Sequence, residues 1–126
     1  MIHVAVGIIH NHLGEVLIAE RPQHKYKGGL WEFPGGKVEP HETVFQALQR
    51  ELYEELNIQV MTAENWLTCE YDYSDREVLL DVWKVTTFSG NPQGKERQRI
   101  CWVHPKNFTQ FTFPEGNRFI LDRLIS

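Results

Sequence analysis

The chain has 126 residues, 41% of them hydrophobic and 24% charged, an ordinary composition for a folded domain with room for one modest core. A formal net charge of −4 excludes a surface that holds a nucleic-acid polymer through a basic excess, and a small anionic substrate would need local cations or metal ions. No apolar run reaches the roughly 18 residues of a membrane helix, so no membrane partner is expected.

Residues 4–9 are apolar and β-branched, lack a basic start and end at His10, so they predict a first strand and not a signal peptide. A second apolar run covers 16–19. Asn11-His12-Leu13-Gly14 between them has turn chemistry, which predicts a hairpin. Residues 21–29 carry Pro, Gly and charges and predict a loop. Residues 30–33 predict a short strand stopped by Pro34-Gly35-Gly36. A helix is expected over 43–56, with Thr43 and Gln46 forming a capping box and Asn57 as its left-handed stop. Residues 60–73 and 77–88 predict two longer strands joined at 74–76. A polar loop over 90–97, a last strand over 100–103 and a C-terminal helix over 115–125 follow, with Phe119, Ile120, Leu124 and Ile125 facing inward. No linker divides the chain, so one domain over 1–126 is expected: an α/β (α+β) mixed sheet with helices packed on it. Cys69 and Cys101 have no metal-like spacing and predict idle thiols in a reducing, cytoplasmic setting.

The predicted helix is informative because of where its charges fall. At about 100° per residue, Val44, Leu48, Leu52 and Leu56 form a core face within about 120°. Glu54, Glu51 and Glu55 occupy an arc from about 280° to about 20° on the same scale, bordering that face rather than centred on the water side. An ordinary acidic helix solvates its carboxylates. Three like charges at i, i+3 and i+4 repel, and burying their edge increases the cost. Arg50 reaches Glu54 at i, i+4, but one arginine does not compensate three carboxylates. A hard divalent cation with oxygen ligands does, Mg²⁺ above all. Gly35-Gly36 ahead of the helix reads either as a plain turn or as backbone able to come close to a ligand.

The residues Gly36, Glu42, Arg50, Glu51, Leu52, Glu54, Glu55 and Ile58 resemble the Nudix box, Gly-x5-Glu-x7-Arg-Glu-aliphatic-x-Glu-Glu-x-Gly-aliphatic. Asn57 stands where the pattern has glycine, and asparagine is the next-best left-handed cap. Six fixed types matched at set offsets arise by chance on the order of 10⁻⁷ per start position. Beyond the box, Val4-Ala-Val-Gly-Ile-Ile9, Trp31-Glu-Phe-Pro-Gly-Gly-Lys37 and Gly94-Lys95-Glu96 resemble the MutT branch, the 8-oxo-dGTP diphosphatases.

The resemblance implies an α/β/α sandwich around a mixed sheet and a nucleoside triphosphate substrate. It implies Mg²⁺, with Mn²⁺ as the alternative ion, bound by Glu51, Glu54, Glu55 and the Gly35-Gly36 region, and Glu96 on a loop nearby. Water would attack the β-phosphorus, leaving a nucleoside monophosphate and pyrophosphate, with a box glutamate or Glu96 as base. Arg50 would orient a carboxylate. Arg21 aligns with a phosphate contact, although alone it reads as a surface arginine. Tyr26 aligns with the same substrate loop. Phe33 would pack against the base, with the backbone of Glu32, Pro34 and Gly35 lining the pocket. Arg76, beside Asp75, aligns with further base contacts, although alone it reads as part of a hairpin turn. Asn117, which alone reads as a helix cap, would read the purine. Its amide offers a donor and an acceptor side by side, matching O6 and N7–H of 8-oxoguanine but mismatching guanine.

Three rivals share these residues. Another Nudix substrate such as ADP-ribose, a dinucleotide polyphosphate or an ordinary dNTP fits the same box. A non-catalytic nucleotide-binding module, like the domain appended to adenine glycosylases, would usually lack box carboxylates, and none is lacking. A plain α/β domain with an acidic helix leaves the placement of the glutamates unexplained. A monomer is expected.

Overall fold

The computed structural model describes residues 1–22, 24 and 28–126. Its strands are β1 (Ile2–Ile9), β2 (Val16–Glu20), β3 (Trp31–Glu32), β4 (Gly35–Lys37), β5 (Gln59–Asp72), β6 (Glu77–Ser89) and β7 (Ile100–Val103). The helices are α1 (Val44–Leu56) and α2 (Arg118–Ile125), with 3₁₀ segments at Pro105–Gln110 and Glu115–Asn117.

One mixed sheet has the order β4-β1-β6-β5, with β1 parallel to β6 and the other pairs antiparallel. A three-stranded antiparallel sheet has the order β3-β2-β7. Alternate residues of both sheets enter the same two cores. Val6, Ile8, Val16 and Ile18 pack with Phe108 and with Ile120 of α2. Ala5, Ile9 and Leu17 pack with Ala47, Leu48, Leu52 and Leu56 of α1. The sheets therefore form one layer between α1 and the C-terminal segments. A strand such as β1, buried on both faces, has to be apolar almost without a break, as its sequence is. The chain is a mixed α+β sandwich with a central mixed sheet.

The capping of α1 follows the sequence. Gln46 N–H donates to the Thr43 hydroxyl at 3.1 Å and Thr43 N–H to the Gln46 side chain at 2.9 Å. Asn57 takes φ 59° and its N–H closes on the Tyr53 carbonyl.

Three expectations are corrected. The first two strands do not form an extended hairpin. The turn at Asn11 and Gly14 exists, but β1 and β2 share a single bridge, His10 to Val16, and then diverge into different sheets. Gly35 and Gly36 do not merely end a strand. With Lys37 they make β4, paired to β1 at Val4, Ala5 and Val6. The last helix begins as a 3₁₀ turn, and while Ile120 is fully buried, Phe119 and Ile125 are exposed. A turn of three residues rather than 3.6 rotates the following face, so Leu121 joins Ile120 and the expected Leu124 against the core in place of Phe119 and Ile125. The 3₁₀ segment Pro105–Gln110, which seats the buried Phe108, had no periodic signal in the sequence.

Candidate active site

The helical period of α1 sets one end of the site. Arg50 lies among the acidic residues, with its Nε 2.6 Å and Nη2 2.9 Å from the two oxygens of Glu42. Its Nη1 donates to Glu51 at 2.9 Å and to Glu54 at 3.3 Å, and Nη2 also donates to the Lys37 carbonyl at 3.0 Å. Arg50 thus binds Glu51 and Glu54 on its own helix and draws on Glu42 from the loop before it. With Glu39 N–H as a second donor, this guanidinium holds the Glu42 carboxyl down to about 2.

Glu55 is different. Among the described residues its carboxylate takes one hydrogen bond, from Gly35 N–H at 3.2 Å, and Arg50 does not reach it. Burial pushes its carboxyl well above the usual range, and the charges of Glu51, Glu32 and Glu96 add to this. Burial also raises Glu51, with Arg50 opposing and Glu54 and Glu96 reinforcing the shift. A Cβ on Gly36 would overlap the Glu51 carboxylate, and one on Gly35, at φ +153°, would strike the Ala5 carbonyl. Gly36 is therefore needed for the Glu51 carboxylate to lie against β4, and Gly35 for β4 to pair with β1.

Glu96 approaches from the loop before β7. Two contacts that sequence reasoning missed hold this loop on α1. Lys95 N–H donates to the Glu55 carbonyl at 3.0 Å. The Gln98 amide donates to that same carbonyl at 3.0 Å and accepts Glu96 N–H at 2.8 Å. No local pattern announces a glutamine bridging two distant segments.

Among the described residues, no three His, Cys, Asp or Glu side chains already form a tight metal centre, and Arg50 occupies Glu51 and Glu54. The donor set still suits a hard cation. Glu55 is a half-buried carboxylate that takes one N–H among the described residues, and Glu51 and Glu96 put further negative charge beside it.

Beside these carboxylates a cleft of about 210 Å³ opens along β1, β4 and β6, lined by Arg21, Glu32, Phe33, Gly35, Gly36, Arg76 and Asn117. That volume lies below the roughly 300–1,000 Å³ that encloses a drug-sized ligand, so it suits a base better than a whole nucleotide. Phe33 is core and wall together, stacked on Phe113 at 5.4 Å. Asn117 precedes α2 but makes no side-chain capping bond, so its amide is not the cap that its position suggests. Arg21 stands 3.4 Å from Glu32. Pro34 is not in the lining. It is buried, and its carbonyl accepts Gly7 N–H at 2.8 Å. Tyr26 lies outside the described residues. Tyr73, Lys37, Val78 and Leu80 also line the cleft. The apolar pair alternates along β6 and was legible only as core.

Comparison with known proteins places this geometry in a family. The NUDIX domain matches residues 5–123. The chain is 41% identical to a CTP pyrophosphohydrolase of Escherichia coli, covering all of this chain and 93% of that protein. It is 36% identical to the 8-oxo-dGTP diphosphatase of the same organism, covering 98% of this chain and 95% of that one. A structure from work on the MutT proteins of Aliivibrio salmonicida and Vibrio cholerae superposes with a TM-score of 0.84 at 36% identity, covering 98% and 95% of the two chains. Nudix hydrolases generally need a divalent metal ion. The chain belongs to the NUDIX family, in its MutT branch of hydrolases that act on phosphoric anhydrides.

Proposed function

We propose that the protein hydrolyses 8-oxo-dGTP to 8-oxo-dGMP and pyrophosphate and so keeps an oxidised, mutagenic base out of DNA. One observation carries this reading: Arg76 and Asn117 line the same cleft as Gly35 and Gly36, which abut Glu55 and Glu51. A base held at one end leaves its phosphates beside the carboxylates at the other. Phe33 supplies an apolar wall, and the Asn117 amide takes O6 and N7–H of the oxidised base. Arg21 and Lys37 supply positive charge along the phosphate path. Mg²⁺, or Mn²⁺ in its place, held by Glu51, Glu54, Glu55 and Glu96, supplies neutralisation of phosphate oxygens and a more acidic water. Arg50 keeps two of those carboxylates in place. The unit is a monomer spanning residues 1–126, working in a reducing cytoplasm where Cys69 and Cys101 stay free.

A second reading is favoured by the 41% identity to a CTP pyrophosphohydrolase. The Watson–Crick edge of cytosine presents an N4–H donor beside an N3 acceptor, the same pair that 8-oxoguanine presents with N7–H and O6. One amide can serve either base.

Pyrophosphate release from 8-oxo-dGTP, dGTP and CTP with Mg²⁺ tests both readings. We expect the highest kcat/KM on 8-oxo-dGTP. A site built around that hydrogen-bond pair can discriminate against dGTP by up to roughly 10⁴-fold. A preference for CTP would transfer the cleft to cytosine, and activity on none of the three would overturn the substrate class.

A further inference from the structure

Asn117 does not cap α2, so something other than its own side chain must fix its direction. The 3₁₀ turn that carries it is three residues long, and such turns have weaker hydrogen bonds than an α-helix. Its middle residue, Gly116, is buried, and its backbone N–H donates to the Tyr73 hydroxyl at 2.8 Å. A Cβ at residue 116 would overlap that same hydroxyl, which accounts for the glycine. Tyr73 is tied in a second direction as well. Its own backbone N–H donates to the Arg76 carbonyl at 2.9 Å, closing the β5–β6 turn. Beside it, the Tyr71 ring lies 4.6 Å from the Tyr73 ring, and the Tyr71 hydroxyl donates to Glu115 at 2.5 Å. The turn that holds Arg76 and the 3₁₀ segment that holds Asn117, remote in sequence, therefore meet at one tyrosine.

We infer that Tyr73 is a positioning residue for base selection: its hydroxyl, acting through Gly116, aims Asn117 into the cleft while its backbone sets Arg76. This rests on the reading of Asn117 as the base reader. Loss of the hydroxyl leaves a buried N–H without its acceptor. The turn can then rotate, and the paired hydrogen bonds of the amide weaken steeply with angle. The ring itself remains as cleft wall, so discrimination between bases suffers more than the size of the cleft.

A double-mutant cycle tests this. The kcat/KM values for 8-oxo-dGTP and dGTP are measured for wild type, Tyr73→Phe, Asn117→Ala and the double variant. Tyr73→Phe is expected to lower the selectivity ratio about tenfold, mainly through KM for 8-oxo-dGTP. In the Asn117→Ala background the same change should move the ratio by less than about twofold, because both act on one contact. In the nucleotide-free protein, exchange of the Gly116 amide proton should accelerate in Tyr73→Phe. A selectivity ratio unmoved by Tyr73→Phe, or a loss that adds in full to that of Asn117→Ala, would overturn the inference alone. A wild type that does not distinguish the two nucleotides would overturn the base-reading role of Asn117, and this inference with it.

Discussion

At the carboxylate end of the cleft, Arg50, Glu51, Glu54 and Glu55 all ride on the 13-residue helix α1, and Glu32, Glu42 and Glu96 join them from neighbouring segments. At the other end, proposed for the base, Phe33 follows β3, Arg76 sits in the β5–β6 turn, and Asn117 closes a 3₁₀ segment. The first end is fixed by helical period and two caps. The second is fixed by long-range contacts such as the bond from Gly116 to Tyr73. Chemistry built on one rigid element is hard to alter without losing it, whereas a pocket assembled from three segments can be re-aimed by a single contact. This fits relatives of similar identity that carry the names of different nucleotide substrates, CTP and 8-oxo-dGTP.

The largest expected effect tests whether the two ends are separable. Glu55→Gln should lower turnover on the order of 10³-fold on every nucleotide alike, leaving base preference intact. A loss that depended on the base would break the comparison. The same variant should not be less stable without metal. Burial raises the Glu55 carboxyl, so at neutral pH its charge works against the metal-free fold, and that penalty is relieved as pH falls through its raised value. A melting temperature for Glu55→Gln well below wild type at pH 7 would contradict this.

Glu42 gives a smaller effect of opposite sign. Its carboxyl is held at about 2, below the ordinary 4.5, so its contribution is complete above about 4.5, fades as pH falls, and is gone below about 2. Glu42→Gln should lower the melting temperature at neutral pH, and the wild-type and variant curves should converge as pH approaches 2. Parallel curves across that window would mean that Arg50 does not depend on Glu42. The smallest effect belongs to the exposed face of α2, where the Arg123 guanidinium lies 4.4 Å from the centre of the Phe119 ring, and Phe119→Ser should cost no more than about 1 kcal/mol. A larger loss in denaturant unfolding would show that this face is covered after all.

The sequence by itself determined what depends on near neighbours along α1. The capping box at Thr43, the left-handed stop at Asn57, the core stripe from Leu48 to Leu56 and the half-buried Glu51 and Glu55 of the expected arc all follow from a period of 3.6 and from side chains that reach three or four residues, whereas Glu54, the third residue of that arc, lies exposed. The box offsets carried the family, and five of its eight matched residues, Arg50, Glu51, Leu52, Glu54 and Glu55, lie on that one helix. Only the tertiary structure decided that β1 and β2 part into different sheets, that Gly35 and Gly36 pair as a strand with β1, and that Phe119 turns outward while Ile120 turns in. It alone brought Gln98 under Glu96 and Tyr73 under Gly116. Such contacts depend on which segments meet in space, and hydrophobic patterning shows which face of a segment is buried but not what it is buried against.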